Sequence, residues 1–233
     1  ALWDLTARRT GQRVWSLAGL AQPEPVTTAY TLSLDSPEKM GAAAALNAHR
    51  PLIKLKLAGE GDIERVTAVR ENAPESTLIV DANEGWRPEQ VEPMAHGLAE
   101  LGVAMVEQPV PANEDEVLAR LAHPLPFCAD ESCHTREGLE QLAGRYEFVN
   151  IKLDKTGGLT EALALRDAAR AQGFRIMIGC MLGTSLGMAP AVLLAQGAEF
   201  VDLDGPLWIA KDRQPGLRYD VSRVDPSTQE LWG

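Results

Sequence analysis

What this sequence has little of narrows its class first. Cysteine is scarce: Cys128, Cys133 and Cys180 are the only three in 233 residues. That is no disulfide framework, so packing in a reducing compartment is the expected role of the thiols. Positive charge is in deficit. Twenty-two Lys and Arg face 33 Asp and Glu, a net charge of −11, which argues against nucleic acid as a partner. No apolar run approaches the length of a membrane span, and the opening ALWDLTARRTGQ lacks the apolar core of a signal peptide. A soluble cytoplasmic protein with no membrane partner is the expectation. Neither G-x-G-x-x-G nor G-x-x-x-x-G-K-[ST] occurs, so nucleotide binding through either loop has no support. Histidine is confined to His49, His96, His123 and His134.

What is present is alternation. Residues 1–20 carry Leu2, Trp3, Leu5, Val14, Trp15 and Leu17 at helical spacing, which predicts one amphipathic helix. A Gln-Pro-Glu-Pro linker (22–25) follows. Strands are predicted over 26–34, 52–57, 77–80, 103–106, 127–129, 148–151, 175–178 and 200–203. Helices are predicted from Ser36-Pro37 onward and over 62–72, 87–101, 113–122, 135–143, 159–172 and 184–196. Short strands alternating strictly with helices imply a parallel sheet. Eight of them in this length favour an α/β fold of the closed (β/α)8 barrel type over an open doubly wound sheet. The expected organisation is a leading helix (1–20), a barrel (21–205) and a polar, irregular tail (206–233) with one strand at 217–221.

The barrel strands end in charge. Lys54 and Lys56, then Asp81, Glu107, Asp130 and Lys152, recur about every 22 to 26 residues, close to one strand–helix unit. Charge at the end of an apolar strand is costly unless something binds there, and in such barrels those ends meet at one mouth. Lys54 and Lys56 are two apart on a strand, so both side chains face the same way. Asp81, Glu107 and Asp130 end three consecutive strands about 4.8 Å apart. Three carboxylates so placed repel one another unless a cation neutralises them, and oxygen donors suit a hard divalent ion such as magnesium. The plainer alternative is three independent caps or salt bridges. The strand at 148–151 lies opposite that at 52–57, so Lys56 and Lys152 are expected to face each other across the mouth. A carbon acid held between them would have one lysine on each face. Magnesium stabilising an enediolate between Lys bases is an established pattern, and a neighbouring cation such as Lys54 would favour a neutral Lys56. Asp202 and Asp204 share one face of the last strand and could hold an ammonium; ordinary turn chemistry before Gly-Pro is the alternative.

Lys-x-Lys, Asp-Ala-Asn, Glu-Gln-Pro, Ala-Asp-Glu-Ser and Asn-Ile-Lys-x-x-Lys-x-Gly-Gly, in this order and spacing, resemble the enolase superfamily. Within it they resemble the muconate-lactonising subgroup, and most closely its dipeptide epimerases, over nearly the whole chain. The resemblance implies a (β/α)7β-like TIM barrel preceded by an α+β capping domain, and this sequence begins after that domain. It implies that Asp81, Glu107 and Asp130 bind Mg2+, that Lys56 and Lys152 are the two bases, and that Lys54 assists Lys56 and the substrate carboxylate. It matches Asp202 and Asp204 to an Asp-x-Asp that binds a dipeptide ammonium, with L-Ala-D/L-Glu, a murein peptide, as the expected substrate. The absence of histidine near 178–184 argues against the branch that uses a histidine base there. His134, just after Asp-Glu-Ser-Cys, is expected as a solvent-exposed residue at a helix start; a place near the site is the alternative.

Two alternatives stay open. One is another activity of the subgroup: a cycloisomerase, an o-succinylbenzoate synthase or an N-acylamino acid racemase. The other is a capless barrel serving as a non-catalytic binding module. An exposed rim also leaves a homo-oligomer open.

Overall fold

The computed structural model describes residues 1–233. Eight parallel strands form one sheet in sequential order. With β1 (Val26–Thr27) lying outside it, they are β2 (Tyr30–Leu32), β3 (Leu52–Lys56), β4 (Thr77–Asp81), β5 (Val103–Glu107), β6 (Phe127–Ala129), β7 (Phe148–Ile151), β8 (Arg175–Ile178) and β9 (Phe200–Val201). The sheet closes on itself where Ala29 N donates to Val201 O (2.7 Å). Outside it lie α3 (Pro37–Asn47), α4 (Asp62–Asn72), α5 (Pro88–Glu100), α6 (Leu139–Leu142), α7 (Leu153–Thr156), α8 (Leu159–Ala171) and α9 (Ser185–Leu194), preceded at the N-terminus by α1 (Leu2–Thr10) and α2 (Val14–Leu17). A 3-10 turn, Gly205–Leu207, and no α-helix follows β9. This is the expected (β/α)7β barrel. No helix is long and apolar enough to cross a membrane.

Five local expectations are corrected. The leading segment is two helices, because Gly11 (φ 71°) caps α1 in the left-handed region, where glycine carries no Cβ penalty. The strand expected over 26–34 is split. Thr28 donates its N–H to Ser222 O (2.7 Å) while its Oγ1 accepts from Leu203 N (2.7 Å), which turns the chain from a small sheet into the barrel. That sheet joins β1 to β11 (Arg223–Val224) and β10 (Tyr219–Asp220), so the tail holds two strands rather than one. The helix expected over 113–122 is a 3-10 segment, Asp115–Arg120. Its first residue is tied to Arg145, Ser132 and Tyr146, too short a run to propagate an α-helix. The helix over 135–143 starts as a 3-10 turn and becomes α-helical only at Leu139, just after Gly138.

Alternate residues of a barrel strand face inward. Leu52, Ile79, Met105, Cys128, Phe148, Met177 and Phe200, with Ala29 just before β2, form one buried apolar cluster. One residue from each strand makes this a single interior layer, the floor of the barrel. Arg175 stacks on Phe148 (4.1 Å to the ring centre). The neighbouring residues Ile53, Leu55, Val80, Val106, Val149 and Ile178 belong to the larger core shared with the helices. Cys128 and Cys133 are buried and all three cysteines are free, as packing roles require.

Candidate active site

Two residues beyond each floor position the side chains again face inward. There the chemistry changes from apolar to ionic. Leu52 leads to Lys54, Ile79 to Asp81, Met105 to Glu107, Cys128 to Asp130, Phe148 to Asn150 and Phe200 to Asp202. All six are buried. Met177 leads to Gly179, and the reason for glycine is steric. A Cβ there would stand 2.6 Å from Asn150 Oδ1 and 2.7 Å from its Nδ2. Asn150 cannot swing away freely, since its Nδ2 donates to Glu107 Oε1 (2.7 Å). Gly179→Ala should therefore lower stability by about 1–3 kcal/mol, the usual cost of overpacking; an unchanged thermal midpoint would contradict this account.

The ionic tier is closely knit. Lys54 Nζ, 1% exposed, lies 2.5 Å from Glu107 Oε2, 2.9 Å from Asp202 Oδ2 and 3.1 Å from Asp81 Oδ2. Burial opposes its charge, but Asp202, Glu107 and Asp81 outweigh that and hold its pKa well above the usual lysine value. Asp130 Oδ2 accepts from Lys152 (2.5 Å) and Oδ1 from Lys155 (2.6 Å). Burial alone would raise the Asp130 carboxyl, yet these two ammonium groups hold it well below the carboxylate range. Lys152 is raised in turn: burial works against its charge and Asp130 and Glu107 overcome it. Asp81 is lowered because Lys54 and Lys56 prevail over burial. Glu107 is the exception. Burial and the adjacent Asp81 push it to about 8 against the pull of Lys54.

A second tier, two residues further, lines an open cavity of about 610 Å³. Lys56 follows Lys54, Lys152 follows Asn150, and Asp204 follows Asp202. Lys56 Nζ donates to Asp81 Oδ2 (2.7 Å). Asp204 Oδ2 accepts from Thr31 N (2.8 Å) and Trp208 Nε1 (2.9 Å). Burial, with Asp202 nearby, raises its carboxyl. Asp130, Asp202 and Lys54 also reach the cavity wall, whereas Asp81 and Glu107 lie beneath it. His134 is exposed at the edge, its Nε2 3.0 Å from Glu131 O.

Asp81, Glu107 and Asp130 are thus brought to one level of one barrel. No three His, Cys, Asp or Glu side chains converge tightly enough to hold a metal ion as they stand, since each carboxylate is turned to lysine or asparagine. The donor set still fits a hard divalent cation. All three are buried carboxylates from consecutive strands, and the Glu107 anion is penalised by burial and Asp81 where an added positive charge would stabilise it.

Three residues inside the motifs quoted above have a role that their sequence pattern does not assign. Asn150 follows the same two-residue period but carries no charge. Lys155 also donates to the carbonyls of Asp130 (2.5 Å) and Asn150 (2.9 Å). Gln108 is fully buried at φ 34°, a strained value for a residue with a side chain. Its Oε1 accepts from Asp130 N (2.9 Å) and Ser132 N (3.2 Å), tying the ends of β5 and β6 together.

The profile of the Enolase C-terminal domain-like family matches residues 39–221, and the chain belongs to that family. Its relatives are isomerases. It is 53% identical to the L-Ala-D/L-Glu epimerase of Escherichia coli K12 over 226 residues, which is 96% of this chain and 70% of that protein. It is 47% identical to the N-acetyl-D-glutamate racemase of a Pseudoalteromonas species over 235 residues, 100% of this chain and 74% of that one. Among solved structures, an enolase family member from Agrobacterium tumefaciens with homology to dipeptide epimerases, crystallised with sodium and L-Ala-L-Glu, superposes with a TM-score of 0.97 at 54% identity; the match covers 100% of this chain and 72% of that one. The dipeptide epimerase of Cytophaga hutchinsonii, complexed with Mg and D-Ala-L-Val, gives 0.90 at 30% identity over 97% and 65% of the two chains.

Proposed function

We propose that this chain carries the active site of a magnesium-dependent dipeptide epimerase, which inverts the α-carbon of the C-terminal residue. The observation that carries the reading is a pair of lysines on diametrically placed strands. Lys56 on β3 and Lys152, just after β7, line one cavity, and β3 and β7 are the second and sixth of eight strands. One lysine, as the neutral amine, removes the α-proton and becomes an ammonium. The other, already an ammonium, delivers a proton to the opposite face. The Cα–H bond broken on one face is replaced on the other, with no net change but configuration. Asp81, Glu107 and Asp130 would hold magnesium, which when bound supplies positive charge for the developing negative charge of the substrate carboxylate. Lys152 must lose its proton to act as a base, and Asp130, with Glu107, keeps it protonated. Neutralising Asp130 therefore frees Lys152 for proton removal. Lys54 would add positive charge beside Lys56 and toward the substrate carboxylate, and Asp202 and Asp204 would bind the dipeptide ammonium.

The preferred substrate by similarity is L-Ala-D/L-Glu, a product of murein peptide turnover. The test is a dipeptide library incubated with the native protein and magnesium in D2O and read by mass. Deuterium uptake at the α-carbon of some dipeptides is expected; none in any member would remove the proposal. The Pseudoalteromonas relative favours a second reading, racemisation of an N-acylated amino acid, which lacks the ammonium. Asp204→Asn separates the two. It keeps shape and removes charge, so activity should fall more on a free dipeptide than on its N-acetylated form. Equal losses would assign Asp202 and Asp204 to turn structure.

A further inference from the structure

Trp208 takes no part in the proton transfer, yet it occupies a distinctive position. It follows the turn Gly205–Leu207 and is 44% exposed. Its Nε1 donates to Asp204 Oδ2, and its indole packs on Tyr30, ring centres 5.2 Å apart. The Arg50 guanidinium also stacks on Tyr30, at 4.1 Å from the ring centre, and is itself held by Asn47 Oδ1 (2.9 Å) and Val221 O (2.6 Å). The indole is thus pinned at its edge and backed on one side. It lines the site cavity, and it also lines a second groove of about 260 Å³ whose other walls include Tyr30, Leu32, Lys39 and Met40. Trp208 and Ser33 line both spaces, and the indole is the larger part of the partition between them.

In a dipeptide the ammonium and the N-terminal side chain share one carbon. An ammonium at Asp204 therefore places that side chain next to the indole bonded to Asp204. We propose that Trp208 sets the size limit for the N-terminal side chain of the substrate, by walling the site off from the neighbouring groove. This rests on the dipeptide reading above. The backing by Tyr30 and Arg50 means the wall cannot recede, so small side chains fit and branched ones collide.

The test compares L-Ala-L-Glu with L-Leu-L-Glu, by calorimetric binding and by α-proton exchange in D2O, in the native protein with magnesium. L-Ala-L-Gln serves as the control for the C-terminal residue. Trp208→Ala joins the two spaces and should shift preference toward L-Leu-L-Glu by about tenfold or more, the scale on which apolar pockets discriminate added methylenes. Preference between L-Glu and L-Gln should not move. Trp208→Leu should shift it the same way by less, which covers a failure of the alanine variant to fold. Trp208→Phe keeps a ring on Tyr30 but loses the bond to Asp204, so it should weaken both dipeptides while nearly preserving their ratio. An unchanged Ala-to-Leu ratio in the alanine and leucine variants would overturn the proposal, as would an equal shift in the C-terminal preference. Binding decides the wall even where no proton exchanges, in which case only the catalytic reading fails. Absence of binding by any dipeptide would overturn both.

Discussion

Lys56→Ala and Lys152→Ala should each abolish epimerisation, yet each should retain exchange of the α-proton with D2O for one epimer, and the two variants should choose opposite epimers. Inversion needs a base on each face. Exchange needs only one, because a single lysine can remove a proton and return deuterium to the same face. Loss of a general base costs about 10²–10⁴-fold, so epimerisation should fall at least that far in both. The structure gives a reason to expect both variants to fold. Removing Lys152 leaves Asp130 paired with Lys155, and removing Lys56 leaves Asp81 paired with Lys54. Neither deletion strands a buried carboxylate, which is what makes breaking a buried pair severe. The rate of the remaining exchange is secondary, since removing one ammonium also changes the field at the developing enediolate. The measurement is deuterium incorporation into each epimer separately. If both variants exchanged the same epimer, or either epimerised near the wild-type rate, two opposed lysine bases would be wrong.

The barrel was legible because its interior repeats. Apolar strands ending in charge, one per unit, set the number of strands, and strand-end charge located Lys54, Lys56, Asp81, Glu107, Asp130 and Lys152. Depth within the barrel was not legible, because it depends on strand register and tilt. In the strand ladder Lys56 pairs with Asp81 and Lys54 with Ile79, yet strand tilt brings Lys54 Nζ among Asp81, Glu107 and Asp202. Two lysines that look equivalent in sequence therefore differ: Lys56 faces the cavity, and Lys54 is consumed among three carboxylates. The break at Thr28 was hidden for a similar reason. It depends on a hydrogen bond to Leu203, 175 residues away, and no local pattern encodes that. Gln108 and Trp208 act through side-chain bonds to Asp130 N and Asp204, and neither residue type announces such a partner.

Glu107→Gln should weaken magnesium binding sharply and remove most of its dependence on pH. Glu107 is the one carboxylate of the three whose anion the protein resists, its carboxyl standing near 8 because of burial and Asp81. Below that pH the group holds a proton, and a cation binding there must displace it. Magnesium affinity should therefore rise as pH rises toward about 8 and level off above. Folding stability without the cation carries the opposite slope. A carboxyl raised from 4.5 to about 8 binds more protons folded than unfolded across that window, so its contribution is lost as pH rises through it. Saturating magnesium should flatten that decline, because it stabilises the folded anion. Glutamine keeps the shape and can still bond Asn150, but it offers one neutral oxygen and no proton to release. Even outer-shell changes cost metal sites about 10–100-fold, so a loss of at least about tenfold is expected for a ligand itself. Calorimetry at several pH values, in two buffers of different ionisation enthalpy, counts the protons released along with the affinity. Wild-type affinity in the Glu107→Gln variant would remove Glu107 from the metal site, and an unchanged pH slope would mean that the displaced proton comes from another group.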